Sequence, residues 1–256
     1  AKVAEYAMAS RVTDRKDIGL RDELRTLREE FANRRKRPRQ TLIEFCCGEQ
    51  SVLGDRAPEG TKVIRLTERI DMTTEKGYRY AREAIRLAAP NGLLWSSIPC
   101  TGGTPWNTVN KNNPGGMETI RKHRRMYEKL FVTFEVLARE CHMLGGRIAI
   151  EWPRNCTYWR LQEVRRVVKD LSLDMADFDG CAFGLLAGKR FIKKPWTVAT
   201  NSKWIRKALN GVKCPGGPGH SPHTSCAGAV TKITENYTSP LADTMHNAWS
   251  KECSGK

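Results

Sequence analysis

Short apolar strands alternating with amphipathic helices predict an α/β fold built on a parallel sheet. Two observations carry this. Strand-like runs of five to seven residues recur between segments of helical spacing. The strand-like runs also end in polar or Gly-rich loops after Cys47, Thr67, Cys100 and Glu151, where α/β sheets take their ligands.

Taken in order, residues 17–36 carry Ile18, Leu20, Leu24, Leu27 and Phe31 at helical spacing in a charged stretch. The stretch runs into the basic RRKRPR at 34–39, where Pro38 stops the helix; a docking helix, a linker, a nuclear-import patch and a solvated basic tail all fit it. TLIEFCC (41–47) and TKVIRLT (61–67) read as strands. Residues 73–89 read as a helix with Tyr78, Ala81, Ile85 and Ala88 on one face, stopped by Pro90-Asn91-Gly92. GLLWSSIPC (92–100) is a third strand, running into TGGTPWNTVNKNNPGG. A long helix follows over 118–143, then the strand RIAIEWP (147–153) and a helix over 158–171. Strand-like stretches near 173–178 and 194–200 precede a short helix near 203–209. The domain reading is a basic helix and linker (1–40), an α/β core (41–201) and a basic Cys/His-containing appendage with a closing helix (202–256).

A globule of 256 residues needs no disulfides to hold together. No apolar run approaches the roughly 18 residues of a membrane span. The opening AKVAEYAMASRVTDRKD reads as a polar helix rather than a signal peptide, and the absent initiator Met suits a segment of a longer polypeptide. Net charge is +16 and the pI near 9.7, the footprint of a phosphate-rich partner; a basic surface kept for solubility is the plainer alternative. Nine scattered cysteines suit an intracellular, reducing compartment, with thiols serving as apolar filler, ligands or a nucleophile.

Three loops could carry chemistry. FCCGEQSVLG (45–54) is a strand, a Gly turn and a helix start, the place where an α/β fold accepts a cofactor; a plain connection reads equally well. SSIPCTGGTPWN (96–107) holds Cys100 at a strand end before a Gly-rich loop, as a nucleophile or a half-buried structural thiol. IAIEWPRNCTYWR (148–160) places Glu151 at a strand end among apolar neighbours, which favours its neutral form; an ion pair with a nearby arginine is the alternative.

A strand-end Pro-Cys followed one helix later by a strand-end Glu-x-Pro resembles the cytosine-5 methyltransferases, especially their short, reduced forms in phages and mobile elements. GCAFGLLAGKRFIKKPWTVATN (180–201) and YTSPLADTMHNAW (237–249) resemble that family's later segments. The resemblance implies a Rossmann-like S-adenosylmethionine methyltransferase sheet with helices on both faces. It makes Cys100 the nucleophile at C6 of cytosine and Glu151 the group that hydrogen-bonds N3. It puts Phe45 and Gly48 in the cofactor turn, Glu68 or Asp71 near the adenosine, and Pro99 on the cofactor side. The chain departs from the family pattern at several points: there is no second Gly in the first motif, Thr101 replaces Gln, and no acid ends the second strand. There is also no large target-recognition domain. The resemblance therefore implies either methyl transfer or an inactive nucleic-acid-binding relative within a mobile-element polyprotein or larger assembly.

CPGGPGHSPHTSC (214–226) spaces Cys214, His220, His223 and Cys226 as C-x5-H-x2-H-x2-C, a set that could hold Zn2+, although the spacing matches no common finger. The acid-free stretch 189–213 carries Lys189, Arg190, Lys193, Lys194, Lys203, Arg206 and Lys207, which with Trp106 form the expected nucleic-acid footprint. Arg121, Lys122, His123, Arg124 and Arg125 form a second basic group, or an ordinary solvated helix face. The expected partner is nucleic acid, DNA ahead of RNA, with no membrane, and the location nuclear in a eukaryote.

Overall fold

The computed structural model describes residues 17–32, 38–217, 219–220, 222–226, 228 and 230–254. Most of the RRKRPR run and the first sixteen residues lie outside them. The strands are β1 (Gln40–Phe45), β2 (Thr61–Leu66), β3 (Gly92–Ser96), β4 (Arg147–Pro153), β5 (Asp174–Asp179), β6 (Leu186–Ala187), β7 (Arg190–Phe191) and β8 (Pro195–Thr200). The helices are α1 (Asp17–Ala32), α2 (Val52–Asp55), α3 (Glu75–Ala88), α4 (Asn107–Asn110), α5 (Gly116–Met143), α6 (Gln162–Asp170), α7 (Lys203–Leu209), α8 (Val230–Ile233) and α9 (Ser239–Cys253).

Six strands form one mixed sheet in the order β2-β1-β3-β4-β8-β5, and β6 and β7 form a separate hairpin. β2, β1, β3 and β4 are parallel, whereas β8 runs antiparallel to both β4 and β5. The all-parallel expectation is thus corrected at β8. Parallel neighbours need a long crossover, usually a helix. The connection from β5 to β8 holds a turn and the β6–β7 hairpin instead, so β8 returns beside β5 in the opposite sense.

Strand alternation sorts the core into two layers. Ile43, Phe45, Leu94, Ile148, Ile150 and Trp152 face α3, α5 and α6 on one side. Leu42, Leu93, Trp95, Ala149 and Val198 face α7 and α9 on the other. Ile205 and Leu209 of α7 and Leu241, Met245 and Trp249 of α9 pack into the core on this second side. Likewise α1 buries Leu20, Leu27 and Phe31 and binds its neighbours through Arg28–Glu83 and Lys76–Glu23 pairs. Among the described residues no helix is long and apolar enough to cross a membrane.

β1 carries a buried acid. Glu44 accepts from the Ser51 hydroxyl and lies 3.5 Å from Arg65. Gly54 makes room for this group, because a Cβ there would overlap Glu44 Oε2 and lie 2.5 Å from Arg65 Nη2. Burial pushes the Glu44 carboxyl up to about 7, against the pull of Ser51 and Arg65. A raised carboxylate costs stability once the unfolded chain ionises and the folded chain does not. The cost is absent below the unfolded value of about 4.3 and complete above about 7. Glu44→Gln is therefore expected to gain on wild type by about 1–3 kcal/mol as pH rises from 4 to 8 in urea melts. A stability difference that stays flat over this range would contradict the assignment.

Candidate active site and its basic rim

The sheet order places β1 between β2 and β3, whose connections leave in opposite directions. The crevice beyond the carboxyl ends of β1 and β3 is thus the topological switch point. Four segments converge on this rim: 46–51 after β1, 67–71 after β2, 97–106 after β3 and the end of β4.

Glu151 is the central group. It is 9% exposed and points to the α7–α9 side, opposite Trp152. Its Oε2 accepts a 2.8 Å hydrogen bond from the Tyr237 hydroxyl. Tyr237 Oη in turn accepts from Trp95 Nε1 at 2.9 Å and sits 2.8 Å from Ser97 Oγ. Since the phenol has one proton and gives it to Glu151, Ser97 is the donor of that last bond. Oε1 of Glu151 is buried with no hydrogen-bond partner. Burial pushes the carboxyl above the ordinary carboxylate range, while Lys194 and the Tyr237 bond pull it down.

Cys100 follows β3, leading into a turn of 3-10 helix over Thr101–Gly103. That turn is pinned. Trp152 Nε1 donates to Ile98 O at 2.7 Å, Thr157 Oγ1 to Gly103 O at 3.1 Å and Arg124 Nε to Gly102 O at 3.2 Å. A Cβ on Gly102 would overlap the Tyr158 hydroxyl and sit 3.0 Å from the Arg124 backbone nitrogen. Burial pushes the Cys100 thiol up to about 11; the Glu151 charge adds to the rise and Lys194 opposes it. Both groups thus share one electrostatic neighbourhood, with Lys194 the cation common to both. The Lys194 ammonium is fixed by a bond to Thr234 O at 2.6 Å and by the Trp196 ring at 4.8 Å.

The residues assigned to a cofactor divide. Gly48 is exposed, and a Cβ there would meet nothing within 4 Å, so the turn is open to an approaching group. Pro99 is exposed on the neighbouring strand end. Phe45 is fully buried against Phe134, so only its backbone borders the crevice. Asp71 closes a turn by accepting from the backbone and hydroxyl of Thr73, and Glu68 is exposed to solvent. A carboxylate from the β1 turn reaches the residues that follow β2. Glu49 Oε1 accepts from Thr67 Oγ1 at 2.8 Å and pairs with Arg69 at 3.2 Å. Sequence reasoning missed Glu49 and Tyr237 as rim groups. The Tyr at the head of the closing segment was the available signal for the second.

The basic footprint also divides. Lys189, Arg190 and Lys193 are exposed on and beside the β6–β7 hairpin, with Lys194 at the start of β8. Pro195 pairs with Asp179 and Trp196 with Pro153, so this group borders the rim that holds Cys100 and Glu151. Lys203, Arg206 and Lys207 lie on α7, which begins at the opposite edge of the sheet. Lys203, Lys207 and Lys251 crowd the Trp204 ring at 5.5–5.8 Å. Trp106 is half-exposed in the loop after Cys100. Arg154 is held by Asp177, Asp179 and Phe178 O, while Arg160 is exposed.

The four ligands expected from the 214–226 spacing do not all meet. Cys214, His220 and His223 come together, but the fourth member is Cys181, from the turn after β5. The ligand atoms of these four lie within 4.8 Å of one another. Cys226 lies outside the group, with its Sγ 3.4 Å from Thr234 Oγ1.

In comparison with known proteins, no family model matches the chain and no curated protein matches it.

Alkylation of Cys100 by a small neutral haloacetamide, followed by peptide mass spectrometry, is expected to rise with a midpoint near 11. Lys194→Met should raise that midpoint and Glu151→Gln should lower it. A wild-type midpoint at an ordinary thiol value of about 8.5 would contradict the burial described. Gly102→Ala should cost about 1–3 kcal/mol in urea melts through overpacking against Tyr158.

Proposed function

We propose that the chain is a nucleic-acid methyltransferase of the cytosine-5 type, with Cys100 as nucleophile and Glu151 as the acid that activates the base. The observation that carries this reading is the unbonded Oε1 of a buried, neutral-leaning carboxyl in the electrostatic neighbourhood of a strand-end thiol. A buried polar atom without a partner calls for a ligand. The sheet supports the reading too: a single reversed strand set between two parallel ones suits the Rossmann-like methyltransferase sheet that the resemblance implies.

In this chemistry a cytosine leaves its stack and enters the pocket. The Cys100 thiolate adds to C6, and the electron pair of the C5–C6 bond moves toward N3. The proton on Glu151 Oε1 hydrogen-bonds N3 and stabilises the charge that gathers there. C5 thereby becomes nucleophilic. Once C5 carries its methyl group, a water molecule takes the C5 proton, and the electron pair of that C–H bond re-forms the C5–C6 double bond as the thiolate leaves C6. Tyr237 fixes the carboxyl by occupying Oε2, which leaves Oε1 as the only oxygen free to face the base. Lys194 favours the thiolate.

The rim fits S-adenosylmethionine in its donor set. Gly48 leaves the turn open, Glu49 in the turn after β1, bonded to Thr67 beyond β2, can accept from a ribose diol, and Pro99 offers an apolar edge. When bound, that cofactor supplies the methyl group that C5 takes. Lys189, Arg190 and Lys193 would neutralise phosphates beside the pocket, with Trp106 placed to stack on a displaced base.

The raised thiol favours a second reading, an inactive relative that holds nucleic acid through the same rim. Two measurements separate them. Calorimetry should show S-adenosylhomocysteine binding to wild type and Cys100→Ala alike, weakened about tenfold or more in Glu49→Gln, each lost charged hydrogen bond being worth ~1.5–3 kcal/mol. An oligonucleotide with 5-fluorocytosine cannot lose its C5 substituent as a proton, so it should remain covalently attached to Cys100 when the cofactor is present. Glu151→Gln should lower methyl transfer at least 100-fold and leave cofactor binding intact, a general acid contributing ~10²–10⁴-fold. No cofactor binding by folded protein that retains nucleic acid would overturn the enzyme reading.

A further inference from the structure

We propose that Cys181, Cys214, His220 and His223 bind one Zn2+, and that the metal staples the 212–226 loop to the end of β5. The proposal stands apart from the catalytic reading, since none of these four residues belongs to the Cys100–Glu151 pocket.

The spacing of the four ligand atoms suits a tetrahedral site. Bonds of about 2.0–2.3 Å to nitrogen and sulfur set ligands roughly 3.3–3.8 Å apart around a tetrahedral zinc. Cys214 Sγ and His223 Nε2 are 3.4 Å apart, and all four ligand atoms fall within 4.8 Å. The ligands come from two distant segments, one the turn after β5 and the other the loop after α7. Two thiolates and two imidazoles form the borderline-soft set that suits Zn2+ in a closed structural site.

A second, independent observation points to a ligand. His220 Nε2 is buried and has no hydrogen-bond partner. Its ring is held by stacking on Phe191 at 3.8 Å between centroids, and the loop is tied there by Thr224 N donating to Phe191 O at 2.8 Å. The ring is thus oriented, and one of its nitrogens lies within 4.8 Å of two thiol sulfurs and a nitrogen of a second imidazole. Supporting groups surround the set. The Cys214 backbone N–H donates to Asp179 Oδ2 at 3.1 Å, and Arg154 Nη2 lies 3.6 Å from Asp179 Oδ1. Such outer contacts hold ligands in place before a metal arrives.

The consequence reaches the pocket along the chain. Among the described residues of the loop there is no helix or strand, and Gly216 and Gly217 lie at positive φ. It leads to Thr234, whose carbonyl takes the Lys194 ammonium, and to Tyr237, which holds Glu151. A metal at its base would fix the segment that carries both.

The test uses the full chain, freed of metal under reducing conditions and titrated with Co2+ and then Zn2+. One equivalent of Co2+ should give the intense visible bands of tetrahedral thiolate coordination, and Zn2+ should abolish them. Cys181→Ser and Cys214→Ser should weaken Zn2+ binding at least 100-fold, whereas Cys226→Ser should bind as wild type. Should the serine variants fail to fold, alkylation of the unmutated protein decides. Zn2+ should protect Cys181 and Cys214 at least tenfold more than Cys226, which lies in the same loop but outside the ligand set. No tetrahedral Co2+ spectrum in folded wild type would overturn the proposal. So would equal loss of binding in Cys226→Ser and Cys181→Ser, or Zn2+ protection that spares Cys181.

Discussion

A carboxyl taken out of water with one oxygen bonded and the other bare is the constraint around which this rim is arranged. Glu151 sits on β4, and β4 is the last of the four parallel strands. Its neighbour β8 returns antiparallel and brings Trp196 alongside Pro153, closing the outer side. Its other neighbour β3 brings Trp95 and the Ser97 that follows, whose polar groups converge on Tyr237. The Tyr237 hydroxyl then delivers one proton to Oε2. Removing the strand reversal would remove Trp196, Lys194 and the path by which the 230–237 segment reaches Glu151. The charge state of the carboxyl and the topology of the sheet are therefore one problem rather than two.

The same economy governs the turn after Cys100. Gly102 and Gly103 lie so close to Tyr158 and Cys156 that a side chain at either would displace the loop. Three hydrogen bonds from Trp152, Thr157 and Arg124 then fix its backbone. Two of these donors belong to β4 or the turn behind it, so the strand that carries Glu151 also positions Cys100. A thiol and a carboxyl on separate strands are held in register by the element that bears one of them.

Most of the fold was legible because periodicity is local. The β1 to β4 runs, the Pro90-Asn91-Gly92 stop and the 203–209 helix fell within a few residues of their observed bounds. Strand direction is not local. Nothing within 195–200 states that β8 is reversed; the signal lay in the helix-free connection from β5. The side of the core formed by α7 and α9 was read as an appendage because its basic residues dominate the composition. The buried positions, among them Ile205, Leu209, Leu241, Met245 and Trp249, lie on one face of each helix. For the candidate site, Cys100 and Glu151 were legible as strand-end residues, while Glu49 and Cys181 were not. Glu49 reaches the residues after β2 from the turn after β1, and Cys181 meets Cys214, His220 and His223 from far along the chain. Both depend on which loops meet at the sheet's edge, and that is fixed by the strand order.

The two central groups are also coupled by charge. Burial disfavours the thiolate and the carboxylate alike, and each negative charge disfavours the other. The pocket therefore admits one negative charge far more readily than two. With that charge on Glu151, Tyr237 stabilises it and the thiol stays protonated. With a proton on Glu151, the carboxyl's contribution to raising the thiol disappears and the Lys194 field acts on sulfur unopposed by it. One proton on Oε1 thus does two things: it makes that oxygen a hydrogen-bond donor, and it lowers the cost of a thiolate at Cys100. A hydrogen-bond acceptor that engages that proton holds it on the carboxyl, which ties the charge state of the thiol to occupancy of the pocket.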